Sequence, residues 1–208
     1  MPKIKQPTLK TEPDTTRTRI LDAAERLLRQ GEAEFSMRAL AAEAGVSFAT
    51  PFNQFGSKAA IMQALSAERI DRMTVRFQAS DQGDDVFDRV LAAVGIAVGV
   101  LLEEPEVSRA VIGSLGRAST SPGTVFRRSQ DLWTVAIGDA GGLGAGMQPV
   151  SAAHLAGQLA LGFRGCLSFW TSGEIADADL LNRARAAATW ALLAVAEGKQ
   201  REKLLERI

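Results

Sequence analysis

The chain has no tyrosine and only one cysteine and one histidine, Cys166 and His154. A lone thiol cannot close an internal disulfide, which suits a reducing cytoplasm. With one histidine, one cysteine and carboxylates that follow no ordered spacing, neither a metal site nor a nucleophilic centre is expected. An enzyme is therefore disfavoured, and no cofactor is implied. Basic and acidic side chains balance at 24 each, so the whole chain carries no nucleic-acid signature. The longest apolar run, Val90 to Leu102, spans roughly thirteen residues, short of the ~20 a membrane helix needs. The polar first fifteen residues lack the apolar core of a signal peptide. Nowhere do apolar residues alternate with the period of a strand. These absences leave a cytoplasmic all-α protein as the expectation, and a hydrophobic content of 46% can build its core.

What is present is helical spacing with clear punctuation. From Thr16 to Gln30, Ile20, Leu21, Ala24, Leu27 and Leu28 share one face, and Gly31 supplies a stop. Ser36 is placed to cap the next helix, with Phe35 and Leu40 at the two positions of a hydrophobic staple. Gly45 ends that helix, and Ser47 is placed to cap a third, Phe48 to Phe55, closed by Gly56. Ser57 opens a long helix from Lys58 to about Ala79, with Ile61, Leu65, Ile70, Met73 and Phe77 as its apolar stripe. Further helices are expected over Asp85–Glu103, Glu106–Arg117, Thr124–Ala140, Ser151–Thr171 and Asp177–Glu197, about nine in all. The Gly-rich segment 141–146 has no strand before it and no Lys-Ser/Thr after it, so it is not a phosphate loop. The pattern predicts a flexible basic arm over residues 1–15, a three-helix domain over 16–60 and a second helical domain over 61–208.

Residues 36–58, SMRALAAEAGVSFATPFNQFGSK, read as helix, Gly-containing turn, helix and the start of a fourth helix. Such a helix-turn-helix lays its second helix in the DNA major groove. The segment resembles the TetR family of bacterial transcriptional repressors. The matching residues are Ile20-Leu21-Asp22-Ala23-Ala24, Ala39 through Ser47, Thr50, Phe52, Phe55 and Ser57-Lys58. The likeness covers about residues 16–65 and implies a DNA-reading head followed by a divergent lobe holding an effector pocket and a dimer interface. Three departures stand out. The family's usual Gly-Thr-Leu-Tyr is Ala49-Thr50-Pro51-Phe52, the acidic pair after Ser-Lys is Ala59-Ala60, and Phe52 lacks the hydroxyl that family members set on a phosphate. Pro51 removes an early helical hydrogen bond and disfavours helical geometry at Thr50, so distortion of the first turn is an open question.

The reading helix has no cation. Ser47, Thr50, Asn53 and Gln54 are its neutral readers, and Phe48 suits a thymine methyl, so A·T pairs are expected under it. Phosphates would fall to Lys58, Arg38, Arg17 or Arg19, and the helix starts at Ser36 and Ser57. Phe52 is counted at the interface by position, although with Phe55 it also reads as core. In the second domain, Phe77, Val98, Leu102, Ile112, Phe126, Trp133, Phe163 and Trp170 are candidate lining for a small apolar effector, with Arg109, Arg128, Gln158 and Arg164 as polar neighbours. The last two long helices are rich in small residues, which lets helices from two subunits approach as a homodimer. The resemblance implies a double-stranded, palindromic operator released when the effector shifts the fourth helix. The alternatives are a related activator, or a helical adaptor that has lost DNA binding.

Overall fold

The computed structural model describes residues 15–81, 83, 85–116, 124–139 and 149–206. Ten helices are present among these residues, with no strand. Apart from Thr15, the expected arm lies outside the described residues, as does the Gly-rich segment 141–146. The chain divides into two compact units, Met1–Ile61 and Met62–Ile208.

The first unit holds α1 (Thr15–Arg29), α2 (Met37–Glu43), α3 (Ala49–Phe55) and the start of α4 (Lys58–Ala79). Its core is the predicted stripe of α1 closed by Phe35, Leu40, Ala41 and Ile61, all buried. Ser36 caps α2, its hydroxyl accepting from the Ala39 amide at 3.0 Å. Gly45 turns the chain between α2 and α3 at φ +63°, a conformation glycine adopts without steric cost.

The second unit is built around α5 (Val86–Leu102), whose inward residues run from Val86 through Val90, Val94 and Val98 to Leu101. Helices α7 (Val125–Ile137) and α9 (Asp177–Leu193) pack on α5, and α8 (Pro149–Thr171) packs on both of them. Helix α6 (Pro105–Ser114) lies against α8. Pro105 opens α6 at the position where a missing amide costs least. Helix α7 stops at Ile137 rather than Ala140, because Gly138 takes φ +67°. Helix α9 ends at Leu193 rather than Glu197, and a tenth helix that the sequence reading lacked, α10 (Gly198–Leu205), follows it. Three contacts fix α10 in place, one of them the Arg201 guanidinium donating to the Leu193 carbonyl at 3.0 Å. Leu204 is buried, and the Gln200 side chain donates to the Asp85 carboxylate at 2.5 Å, while the other oxygen of Asp85 caps α5 at the Phe87 amide.

Candidate nucleic-acid interface and effector cavity

In α3, Pro51 is the buried residue. It stands within the first turn, where an amide would have no intrahelical partner in any case, so the helix continues through it to Phe55. Helical spacing then turns Phe48 and Phe52 together to the opposite side. Phe48 is 52% and Phe52 41% exposed, with ring centroids 5.5 Å apart in an edge-to-face pair. The core reading of Phe52 is thereby corrected: Pro51 takes the inward position, one residue earlier. The Arg38 guanidinium lies 5.2 Å from the centre of the Phe48 ring, and Arg38 is itself exposed. Asn53 is exposed and Gln54 half-buried. Ser47 does not cap a backbone amide of α3. Its hydroxyl shares a 2.7 Å hydrogen bond with that of Thr50, one residue before the proline that has no amide to offer.

Other described cations of this unit serve to hold it together. Arg19 donates to the carbonyls of Ala44 and Gly45 at 2.8 and 3.0 Å, clamping the turn. Arg17 donates to the Gln54 carbonyl at 3.3 Å and lies 4.1 Å over the Phe55 ring. Arg26 pairs with Glu43 at 2.5 Å at the end of α2. The Lys58 ammonium donates to the Ala33 carbonyl at 2.8 Å, approaches the Glu34 carboxylate at 3.5 Å and lies 4.5 Å from the Phe35 ring centre. A phosphate at Lys58 would have to compete with those partners. Among the described residues Arg38 is thus the cation left on the same outer side as the aromatic pair, while Ser36 and Ser57 spend their hydroxyls on the amides of Ala39 and Ala60.

The second unit contains a cavity of about 220 Å³ between α4, α6, α7 and α8. Of the predicted lining, Ile112, Phe126 and Phe163 face it. Phe77, Val98, Trp133 and Trp170 do not line it and are buried core instead, and Leu102 packs partly buried against that core. The reason is the central position of α5. Its neighbours are filled by large side chains, Trp133 packing edge-to-face on Phe163 at 5.4 Å, and the cavity lies towards α4. Arg164 reaches the cavity and donates to the Ile112 carbonyl at 3.2 Å, and its burial pulls the guanidinium pKa down. Arg109 is committed elsewhere, pairing with Asp177 at 2.5 Å and with Glu106 at 2.9 Å. Arg128 pairs with Asp71 at 2.8 Å, and His154 and Gln158 are exposed. The sequence reading missed Ser66, Arg69 and Ser129, which line the cavity. A signal for Arg69 existed: it stands four residues after Leu65 and four before Met73, inside an apolar stripe where a charge is costly.

On α8 and α9, away from that cavity, Phe169 and Trp190 are exposed, Trp190 at 61%. Gly162 faces α9, where a Cβ would stand 3.8 Å from the Ala187 Cβ, an ordinary van der Waals contact. Among the described residues no helix is long and apolar enough to cross a membrane, and no group of three or more His, Cys, Asp or Glu could hold a metal ion.

Residues 20–65 match the family model described as bacterial regulatory proteins, tetR family. The chain is similar to a solved TetR transcriptional regulator from Rhodococcus sp. RHA1, at 25% identity and TM-score 0.72, covering 88% of this chain and 98% of that one. It shares its fold with the R. erythropolis transcriptional repressor QsdR, at 20% identity and TM-score 0.66, covering 90% and 98% of the two chains. It shares it also with SmeT, the repressor of the Stenotrophomonas maltophilia multidrug efflux pump SmeDEF, at 22% identity and TM-score 0.62, covering 88% and 91%. A comparison with curated protein sequences gives no match.

Proposed function

We propose that the chain is a regulator of the TetR family, whose model residues 20–65 match, and that it is a homodimeric repressor released from a palindromic operator by a small molecule. Such a DNA-binding regulator works beside the chromosome, in the cytoplasm. The observation that carries the reading is the outer face of α3. Phe48 and Phe52 stand out from the head beside Asn53, with Arg38 next to them. A monomer seldom exposes two adjacent aromatic rings without a partner, and thymine methyls are suited to them. Asn53 and Gln54 are offered as readers of adenine edges, Thr50 and Ser47 as neutral contacts, and Arg38 as the principal phosphate contact. Lys58, Ser36 and Ser57 support the backbone that approaches the phosphates.

Helix α4 supports the effector half of the reading. It begins at Lys58, tied to the head by the Ala33 carbonyl, and further along contributes Ser66, Arg69, Ile70 and Met73 to the cavity wall. A ligand that binds better to one placement of α4 shifts the head equilibrium by that difference in affinity, and by no more. The exposed apolar side chains of α8 and α9 support a dimer through those helices. Selection of DNA sites from a random pool at two salt concentrations tests the function. A palindrome with A·T pairs in each half-site is the expected result. Failure to enrich any sequence would refute DNA reading and favour a helical adaptor.

A further inference from the structure

We propose that the cavity of the second unit takes a small organic acid, with its carboxylate on Arg164 and its apolar body against the leucine, isoleucine and phenylalanine walls. The inference rests on the reading of this cavity as the effector site and names the chemical class it accepts.

Among the described residues the cavity wall is apolar except for Ser66, Arg69, Ser129 and Arg164, and no described carboxylate lines it. A neutral apolar ligand would leave the buried Arg69 and the half-buried Arg164 guanidinium groups against a wall that disfavours charge. Arg69 is only 2% exposed, donates to the Leu65 carbonyl at 3.2 Å and has further partners within the protein. Arg164 differs. Its one hydrogen bond goes to the neutral Ile112 carbonyl, and no carboxylate pairs with it among the described residues. A guanidinium carries five N–H donors in a fork that fits a carboxylate at two points, so Arg164 keeps capacity after serving Ile112. Burial acts on this group without an opposing charge to offset it, as the lowered pKa records. One unmatched cation calls for one negative charge. Ser129 on α7 adds a hydroxyl to the same wall, able to donate to the acid.

Size narrows the class. A 150 Å³ apolar cavity holds benzene, so about 220 Å³ has room for an acid of roughly nine non-hydrogen atoms. Phe126 and Leu161 are both part of the wall and half exposed, which places the entrance between the start of α7 and the middle of α8.

Calorimetric titration of the full chain without DNA tests this, using octanoate and phenylacetate beside their primary amides, octanamide and phenylacetamide. At least one acid should bind saturably and about tenfold or more tighter than its amide, a margin typical of a charge-assisted pair. Arg164→Met should abolish that preference while leaving amide binding within about threefold. The acid-to-amide ratio of the unaltered protein stands without the variant, should Arg164→Met fold poorly. Amides binding as tightly as acids, an acid preference that survives Arg164→Met, or no saturable acid binding would each overturn the proposal. The effector reading fails separately: acids that bind at Arg164 yet leave operator affinity unchanged would refute regulation through this cavity and leave the ligand class standing.

Discussion

Lys58 and Arg38 carry the same charge in the same head and do different work. The Lys58 ammonium is held by Ala33, Glu34 and Phe35, whereas Arg38 lies over the exposed Phe48 ring. Lys58→Ala should therefore lower the thermal stability of the protein, by about 1–2 kcal/mol for a lost charge-assisted bond, and leave the salt dependence of DNA binding unchanged. Arg38→Ala should do the reverse, reducing the slope of log K against log salt by about 1 per subunit with little loss of stability. Slopes measured for both variants decide the matter; a slope that falls with Lys58→Ala would return the phosphate to that residue. Asn53→Ala should change the preferred base under α3 at a cost of about 1–3 kcal/mol on the best site, read by repeating the site selection. Cys166 offers a check on packing. Burial raises its thiol pKa, so less thiolate is present at a given pH, and alkylation at pH 8 should be slower than for a peptide thiol until the protein is unfolded.

At the scale of elements, α10 and the α8–α9 pair make distinct contributions. Helix α10 is short and mostly polar, and its place depends on Leu204 and on the shared Asp85 carboxylate. Leu204→Ala should destabilise the protein by about 2–4 kcal/mol, as expected for a fully buried leucine whose cavity collapses incompletely, measured by chemical denaturation. The exposed Trp190 has the opposite character, since no described residue buries it. In the proposed dimer it is an interface anchor, and Trp190→Glu should convert dimer to monomer in sedimentation equilibrium with little change in helix content. A wild-type protein that sediments as a monomer would dispose of that interface.

For the molecule as a whole, charge and linkage set the expectations. A chain with zero net charge, whose head spends most of its arginines internally, should bind non-specific DNA weakly and show a shallow salt slope. If an acid in the cavity weakens operator binding by some factor, operator DNA must weaken binding of the acid by the same factor. Titrating the acid with and without saturating operator measures this, and unequal factors would mean that the acid also acts outside the cavity.

The helices and the helix-turn-helix frame were legible in the sequence because their determinants are local. Apolar residues at helical spacing, Ser36 before α2, and glycines at 45 and 56 act within a few residues of themselves. Short range also explains the failure at α10: eight largely polar residues carry too weak a pattern, and Asp85, which holds them, stands over a hundred positions away. What only the tertiary structure decided is the employment of the polar and aromatic side chains. Arg17, Arg19 and Lys58 read as phosphate contacts, and only the fold sets them beside the carbonyls of Gln54, Ala44, Gly45 and Ala33, with which a phosphate would compete. Phe52 read as core until Pro51 took the inward position, and Arg69 joined Arg164, already a polar candidate, in one cavity only when α4 and α8 were brought to one space. Periodicity fixes which side of a helix is apolar. Where a charge finds its partner depends on backbone atoms that are distant in sequence, and these are positioned only by the folded chain.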